Sequence, residues 1–164
     1  MTVTDVVKDT ETLSLTITSE FPSPIAKVWT LWANPRLLER WWGPPTYPAT
    51  FTHHDLTPGG HVGYHMTGPE GDQPHGWWRV VAVDPPNGLE FDDGFADEQG
   101  VPNPEMPTTR MRVTLEERPE GGTRMAITSV FPSAEIMEQM VNMGMLEGMQ
   151  EALGQIDGLL VEAG

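Results

Sequence analysis

The residues of this sequence best suited to metal chemistry are its histidines. His61 and His65 are four residues apart and would share one face of a strand, while His53 would lie on the strand before. A protein metal site needs three or more ligands that converge on one point. The three histidines meet that requirement only if two strands bring their rings together, and solvent-facing positions explain them equally well. We therefore predict no metal site.

Acidic residues and possible nucleophiles give little support for catalysis. Asp92 and Asp93 open residues 92–107, a segment punctuated by proline and glycine, where a run of charges is typical of a solvated loop. The sequence has no cysteine, no Gly-x-Ser-x-Gly elbow and no glycine-rich phosphate loop before a helix. We therefore predict no catalytic residue and no cofactor. A loop this long is often a lid, and its apolar residues suited to closing a cavity mouth are Phe95, Val101 and Met106.

Tryptophan and methionine are the residues that indicate a binding cavity. The chain has six tryptophans and ten methionines, and methionine is a flexible side chain that lines adaptable pockets or fills irregular cores. Core filling explains any single methionine at least as well as ligand binding does. The residues predicted to line a ligand cavity are Trp42, Tyr64, Met66, Trp78, Phe91, Met111, Met125, Met140, Met145, Gly148 and Met149. The polar groups available to orient a ligand are those of Tyr64, Ser129 and Thr109.

Seven segments have the pattern of strands joined by short turns. Residues 12–21 alternate between apolar and polar side chains, which is typical of a half-buried strand. The other predicted strands cover residues 47–56, 61–67, 75–83, 89–95, 108–117 and 123–131. Two short helices follow the first strand, one from Pro24 to Asn34 and one from Pro35 to about Trp42. This order predicts an antiparallel meander with helices inserted after its first strand.

The C-terminal end of the chain changes to a helical period. After Ser133, a candidate N-cap, apolar residues recur every three or four positions over residues 134–161, which predicts one long amphipathic helix. Gly144 and Gly148 interrupt it, although glycine costs a helix interior about 1 kcal/mol relative to alanine. Either the helix backbone approaches the sheet closely there or the missing side chains leave room for a ligand, and the spacing alone favours close packing. The predicted cavity depends on this helix being continuous.

Four segments together resemble a known family. The first, residues 21–44, reads FPSPIAKVWTLWANPRLLERWWGP, and the others are residues 55–60, 83–89 and 144–149. They resemble the SRPBCC (START-like) superfamily and, within it, proteins similar to the C-terminal domain of the heat-shock-protein-90 ATPase activator. The resemblance implies an α+β helix-grip fold. Its curved antiparallel sheet would have about six to seven strands, two short helices after the first strand, and a long C-terminal helix packed across the concave face.

The resemblance leaves several functions open. Related folds bind lipids, sterols and plant hormones, cyclise polyketides, or act as self-resistance proteins. The first expectation is that a small hydrophobic or aromatic molecule binds between sheet and C-terminal helix, for transport, sequestration or self-resistance. A cyclase- or hydrolase-like enzyme using the same cavity is the alternative, and it would need a buried histidine or carboxylate with a shifted pKa. Co-chaperone-like protein binding is the third, although the activator's N-terminal domain has no counterpart in these residues.

Composition and charge bound the partners and the location. The formal net charge of -15 repels phosphate backbones and anionic lipid, so we expect neither nucleic acid nor membrane as a partner. No apolar run approaches the roughly 20 residues of a membrane span, and residues 1–12 lack the order of a signal peptide. A cytoplasmic location is expected. The chain is predicted to have a flexible N-terminus over residues 1–11 and one domain over residues 12–161.

Overall fold

The computed structural model describes residues 3–163 and consists of one curved antiparallel sheet with five helices. In chain order the elements are β1 (Val3–Asp9), β2 (Ser14–Phe21), α1 (Ile25–Ala33), α2 (Pro35–Leu38), β3 (Ala49–His54), β4 (His61–Met66), β5 (His75–Asp84), β6 (Gly88–Ala96), β7 (Thr109–Glu117), β8 (Thr123–Val130), α3 (Ala134–Asn142), α4 (Met145–Leu153) and α5 (Ile156–Ala163). The eight strands lie in the order β1-β2-β8-β7-β6-β5-β4-β3, and every neighbouring pair is antiparallel. This is the predicted helix-grip architecture, with one strand more than expected.

The seven predicted strands are all present, and their bounds differ from the prediction by at most two residues at either end. The reason is that each has a clear period of two. In β2 the side chains of Leu15, Ile17, Ser19 and Phe21 are buried, while the residues that alternate with them are partly exposed. Such alternation places one face of the sheet against the core and leaves the other towards solvent, so the local pattern was sufficient to identify these strands.

The eighth strand corrects the expectation of a flexible N-terminus. Residues 3–9 form the edge strand β1, which pairs antiparallel with β2, and the pairing register shifts between Val3 and Asp5. Because of this bulge, Val3 and Val6 are the residues packed against the core, three positions apart rather than two. The period-two signal that identified the other strands was therefore missing here. Residues 1 and 2 lie outside the described residues.

An aromatic cluster fills the space between the two short helices and the sheet. The ring centroids of Trp32 and Trp41 lie 4.8 Å apart, and those of Trp42 and Trp78 lie 4.9 Å apart, both in edge-on arrangements. Trp78 also stacks on Phe91 at 4.0 Å. All these rings belong to one buried core that spans the inner face of the sheet. Their large apolar area makes this cluster a main source of hydrophobic stabilisation for the fold.

The predicted continuous C-terminal helix is wrong, because the segment is broken twice into α3, α4 and α5. Gly144, at the first break, has a φ of 91°, a left-handed conformation that glycine adopts without the steric cost of a Cβ atom. At the second break, the backbone N–H of Gln155 bonds to the carbonyl of Ala152, three rather than four residues back. The Gln155 side chain meanwhile donates to the carbonyl of Gly43 at 2.7 Å. The helical period continues through both breaks, so hydropathy did not reveal them.

The three shorter helices still cover the inner face of the sheet. Leu153, Ile156 and Leu160 are buried in the same core cluster as the sheet residues. Lys27 of α1 donates from Nζ to the carbonyl of Leu160 at 2.7 Å and so connects α5 to the first helix. Helices therefore still lie over the space that the continuous helix was expected to cover. Within residues 3–163, no helix is long and apolar enough to cross a lipid bilayer.

Candidate functional site

A cavity lies between the inner face of the sheet and the helices α3 and α4. Its volume is about 210 Å³ and its walls are formed by Trp42, Pro44, Tyr64, Met66, Asp93, Thr109, Met111, Met140, Met145, Gly148 and Met149. A second cavity of about 110 Å³ shares Tyr64, Met66, Asp93, Thr109 and Met140 with the first. The second extends towards the end of the sheet and is bordered there by His75, Phe95 and Pro107. The two cavities thus form adjoining parts of one site.

Eight of the eleven residues predicted to line a cavity do line the larger one. They are Trp42, Tyr64, Met66, Met111, Met140, Met145, Gly148 and Met149. The prediction is wrong for the other three, Trp78, Phe91 and Met125. Each is 0% exposed and belongs to the core beneath the cavity. Of the neighbouring residues Trp77 and Trp78, Trp78 faces the inside of the sheet. The ring of Trp77 lies on the other face, where its Nε1 donates to the carbonyl of Phe95.

Gly148 explains part of the free space in the cavity. A Cβ atom placed at Gly148 would have no heavy atom within 4 Å, apart from its own helix and chain neighbours. The close packing favoured from the glycine spacing is therefore wrong for this position. The alternative is correct, since the missing side chain leaves room beside Met145 and Met149.

The polar end of the cavity consists of a carboxyl group and a phenol. The Oη atom of Tyr64 donates to Oδ1 of Asp93 at 3.1 Å. Gly76 is paired with Tyr64 across β4 and β5, and a side chain at Gly76 would overlap the Tyr64 ring. The absence of that side chain allows the ring to lie flat on β5 with its hydroxyl directed at Asp93.

Asp93 was missed by the sequence prediction because the charged residues from 92 onwards were interpreted as a loop, although residues 92 and 93 also lie in the predicted strand 89–95. Both residues belong to β6, which ends at Ala96, so the two carboxylates face opposite sides of the sheet. Asp92 faces outward and its Oδ1 lies 2.5 Å from Nε of Arg110. Asp93 continues the inward series begun by Leu89 and Phe91. That alternation was present in the sequence and is the signal that could have identified it.

The surroundings of Asp93 change its ionisation. Burial is the main effect and raises the pKa of Asp93 to about 7, while the nearby donors Tyr64 and Trp78 lower it by less. Burial and then the charge of Asp93 raise the pKa of Tyr64 well above its ordinary value. Near neutral pH the site therefore contains a neutral phenol beside a carboxyl group that populates both protonation states.

The remaining polar candidates have different surroundings. Thr109, 3% exposed, lines both cavities and is paired with Asp93 across β6 and β7. Ser129 donates from Oγ to the sulfur of Met111 at 3.2 Å and belongs to the core. The loop residues Val101 and Met106 are exposed, at 55% and 39%, whereas Phe95 borders the smaller cavity.

Four of the five histidines form two pairs rather than one cluster. The rings of His53 and His61 have centroids 5.9 Å apart, and those of His65 and His75 are 5.2 Å apart. Among residues 3–163, no group of three or more His, Cys, Asp or Glu side chains is placed to hold a metal ion.

The fold and this site together define a helix-grip protein with an apolar cavity, a type of fold that binds ligands. The family model described as "Activator of Hsp90 ATPase homolog 1-like protein" matches residues 22–161. The chain belongs to this family, as the sequence resemblance indicated.

Similar solved structures cover almost the whole chain. Protein Ms6760 from Mycobacterium smegmatis is 48% identical with a TM-score of 0.88, and the match covers 96% of each chain. A protein from Arthrobacter aurescens is 52% identical with a TM-score of 0.92, covering 98% of this chain and 93% of the other. A protein from Staphylococcus epidermidis is 28% identical with a TM-score of 0.85, covering 98% and 95%. No curated protein matches the chain.

Proposed function

We propose that the protein binds a small, largely apolar molecule in the cavity between the sheet and the helices α3 and α4, as a carrier or sequestering protein. The observation that carries this proposal is the composition of the cavity wall. Five methionines, Met66, Met111, Met140, Met145 and Met149, surround a space that has a single carboxyl–phenol pair at one end. Apolar walls with a few polar groups are typical of small-molecule sites.

The size of the cavity limits the ligand. An engineered apolar cavity of about 150 Å³ is large enough to bind benzene. The larger cavity here, at about 210 Å³, would accept a substituted single ring or a short aliphatic chain of similar bulk. The adjoining smaller cavity would allow one substituent to extend towards Phe95 and Pro107. A sterol or a full-length lipid is too large unless the helices move.

Binding of ethylbenzene and propylbenzene, followed by calorimetry and by tryptophan fluorescence, tests the proposal. Because Trp42 lines the cavity, its emission should change with saturable occupancy. The Gly148→Leu variant should bind at least about tenfold more weakly, since the leucine side chain would occupy the space that the ligand needs.

Gly158→Leu is the matched control for this experiment. Gly158 lies in α5, is exposed, and also has no heavy atom within 4 Å of an added Cβ atom. The two variants therefore make the same change in a helix, but only one makes it in the cavity. Equal affinity of both variants for the alkylbenzenes, or no binding to the unmodified protein, would rule out this site.

Proton-transfer catalysis is a second candidate function, and Asp93 is the observation that favours it. The carboxyl group faces the cavity and has a pKa of about 7, which suits a general base near neutral pH. The enzyme alternative required a carboxylate of this kind, and the sequence analysis did not identify one.

A nitrobenzisoxazole substrate tests this second function without knowledge of the natural one. A carboxylate base removes its ring C–H proton, the N–O bond breaks, and a cyano-nitrophenolate forms that is measured by absorbance. Turnover should rise with pH as Asp93 loses its proton near pH 7 and should be lost in Asp93→Asn. Asp92→Asn, the same change on the outer face, should keep the rate. Absence of any turnover that depends on Asp93 would exclude this role.

Binding of a partner protein is supported less well. It would require a large exposed apolar patch. The exposed large apolar residues of the described chain are spread over β1, β5, the loop 97–108 and the C-terminal helical region, as Val7, Val81, Val101, Met106, Met143 and Val161. No specific contact in the structure favours this third alternative over the first two.

A further inference from the structure

Asp93 is an inward-facing carboxyl group to which the chain supplies no cation. All nine lysines and arginines lie within the described residues 3–163, and none of them contributes to the pKa of Asp93. The adjacent Asp92, in contrast, is paired with Arg110 on the outer face. Asp93 is partly buried, and a carboxylate in apolar surroundings either gains a cationic partner or tends to become neutral. Among the described residues, no lysine or arginine occupies the position of a counter-ion beside this carboxyl group.

Three oxygen groups surround this position. Asp93 and Thr109 are direct partners across β6 and β7, and the Tyr64 Oη lies 3.1 Å from Asp93 Oδ1. The Thr109 hydroxyl lines both cavities and makes no hydrogen bond to any described residue. An ammonium group donates up to three hydrogen bonds and accepts none. A carboxylate and two hydroxyl oxygens are acceptors suited to such a group.

The aromatic wall and the overall charge favour the same kind of ligand. Trp42 and Tyr64 line the same cavity as Asp93, and aromatic rings attract cations that lie over their faces. The net charge of -15 raises the local concentration of cations and disfavours anionic ligands. A carboxylate or phosphate ligand would in addition be repelled by the negative charge of Asp93.

We propose that the ligand of this cavity is a small apolar amine, whose ammonium group pairs with Asp93 and whose hydrocarbon part lies against Met140, Met145 and Met149. This inference rests on the proposed binding function and names the chemical class of its ligand. A neutral hydroxyl compound in the same place would need no counter-charge, and it is the rival that the experiment below distinguishes.

Ionisation of the site gives the inference a pH dependence. The titratable groups facing this end of the cavity are Asp93 from β6, Tyr64 from β4 and His75 from β5, whereas α3 and α4 contribute methionines. Because Asp93 loses its proton near pH 7, an amine that stays protonated should bind more tightly as the pH rises through that value. A neutral alcohol has no charge to pair and should bind almost independently of pH.

The test compares benzylamine, benzyl alcohol and ethylbenzene, which have the same shape but differ in one terminal group. Affinities are measured by calorimetry at about pH 5.5 and about pH 8.5 for the unmodified protein, Asp93→Asn and Asp92→Asn. Benzylamine should bind the unmodified protein at least about tenfold more tightly at the higher pH than at the lower one. Asp93→Asn should remove that gain and weaken benzylamine by a similar factor, while Asp92→Asn retains both.

The outcomes separate this inference from the function on which it rests. If ethylbenzene binds but benzylamine is not preferred, or if benzylamine binds equally well to Asp93→Asn, the amine assignment is wrong and the cavity remains a binding site. Tighter binding of benzyl alcohol than of benzylamine at both pH values would assign the site to hydroxyl compounds instead. If none of the three compounds binds, the proposed function itself fails. The pH comparison needs only the unmodified protein, so it holds even if Asp93→Asn does not fold.

Discussion

Asp92 and Asp93 are adjacent residues with the same side chain and opposite surroundings. Both are partly exposed, but Asp92 is paired with Arg110 on the outer face, whereas Asp93 faces an apolar cavity with Tyr64 as its hydrogen-bond partner. The difference arises because successive strand residues face opposite sides of a sheet. At the residue scale, the chemistry of this protein is therefore decided by strand orientation rather than by residue type.

The raised pKa of Asp93 predicts that this residue makes the folded protein less stable as the pH rises. The folded chain holds this proton up to about pH 7, whereas the unfolded chain releases it near the ordinary value of 3.8. The contribution of Asp93 to stability is therefore complete at low pH and is lost as the pH rises towards and through 7. Asp93→Asn has no proton to lose, so its stability relative to the unmodified protein should increase by about 1–3 kcal/mol over this range.

Urea unfolding of both proteins between about pH 4 and about pH 8 measures this difference. Asp92→Asn is the control for removing a carboxyl group from the same strand and should show no such gain, because it loses the pair with Arg110. A constant difference between Asp93→Asn and the unmodified protein at every pH would contradict the pKa assigned to Asp93.

Two glycines give the C-terminal helices their shape at the scale of elements. Gly144 ends the first helical segment in a left-handed conformation, and Gly148 lies within α4 with open space where a side chain would be. The first allows the chain to change direction, so that α4 lies over the cavity. The second keeps that cavity open. The same residue type, four positions apart, thus has two different structural roles.

Alanine substitutions at these glycines distinguish the broken helix from a continuous one. Gly144→Ala should destabilise the protein by about 1–2 kcal/mol, because an L-residue is strained at a φ of 91°. Gly148→Ala should stabilise it by about 0.5–1 kcal/mol, because alanine is the better helix former and meets no neighbour. Thermal and urea unfolding measure both changes. If both substitutions stabilised the protein, the helix would be continuous at Gly144.

The charge of the whole molecule opposes its folding at low ionic strength. Nine basic side chains cannot neutralise 24 acidic ones, and the surface ion pairs, such as those that Arg118 and Arg124 form with Glu20, use most of the arginines. Exposed pairs contribute only about 0–1 kcal/mol each. Repulsion among the unpaired carboxylates is therefore the larger electrostatic effect in the folded state.

Salt should consequently stabilise this protein. Raising sodium chloride from about 10 mM to about 200 mM shortens the screening length from about 30 Å to below 10 Å. We expect the melting temperature to rise by about 2–5 °C, because salt removes more energy of repulsion among the carboxylates than it removes attraction from the ion pairs. Scanning calorimetry at the two salt concentrations measures the change. A fall in melting temperature would mean that the ion pairs contribute more than the repulsion costs.

What the sequence by itself determined was everything that depends on a regular local period. The seven alternating strands, the two short helices and the apolar side of the C-terminal region were predictable, because burial of one face imposes a period of two or of three to four. Eight cavity residues followed from these elements and from the high content of tryptophan and methionine.

Only the tertiary structure decided the features that depend on register and on single backbone angles. The bulge hid the period of β1, and the left-handed angle of Gly144 divided the helix without disturbing its hydropathy. The pairing of β6 with β7 placed Asp93 opposite Thr109 at the cavity. Trp78, Phe91 and Met125 belonged to the core rather than to the cavity wall, because depth beneath a surface is set by neighbours from distant strands. Hydropathy indicates which side of an element is buried, whereas the chemistry of the cavity depends on which residues of distant elements lie opposite one another.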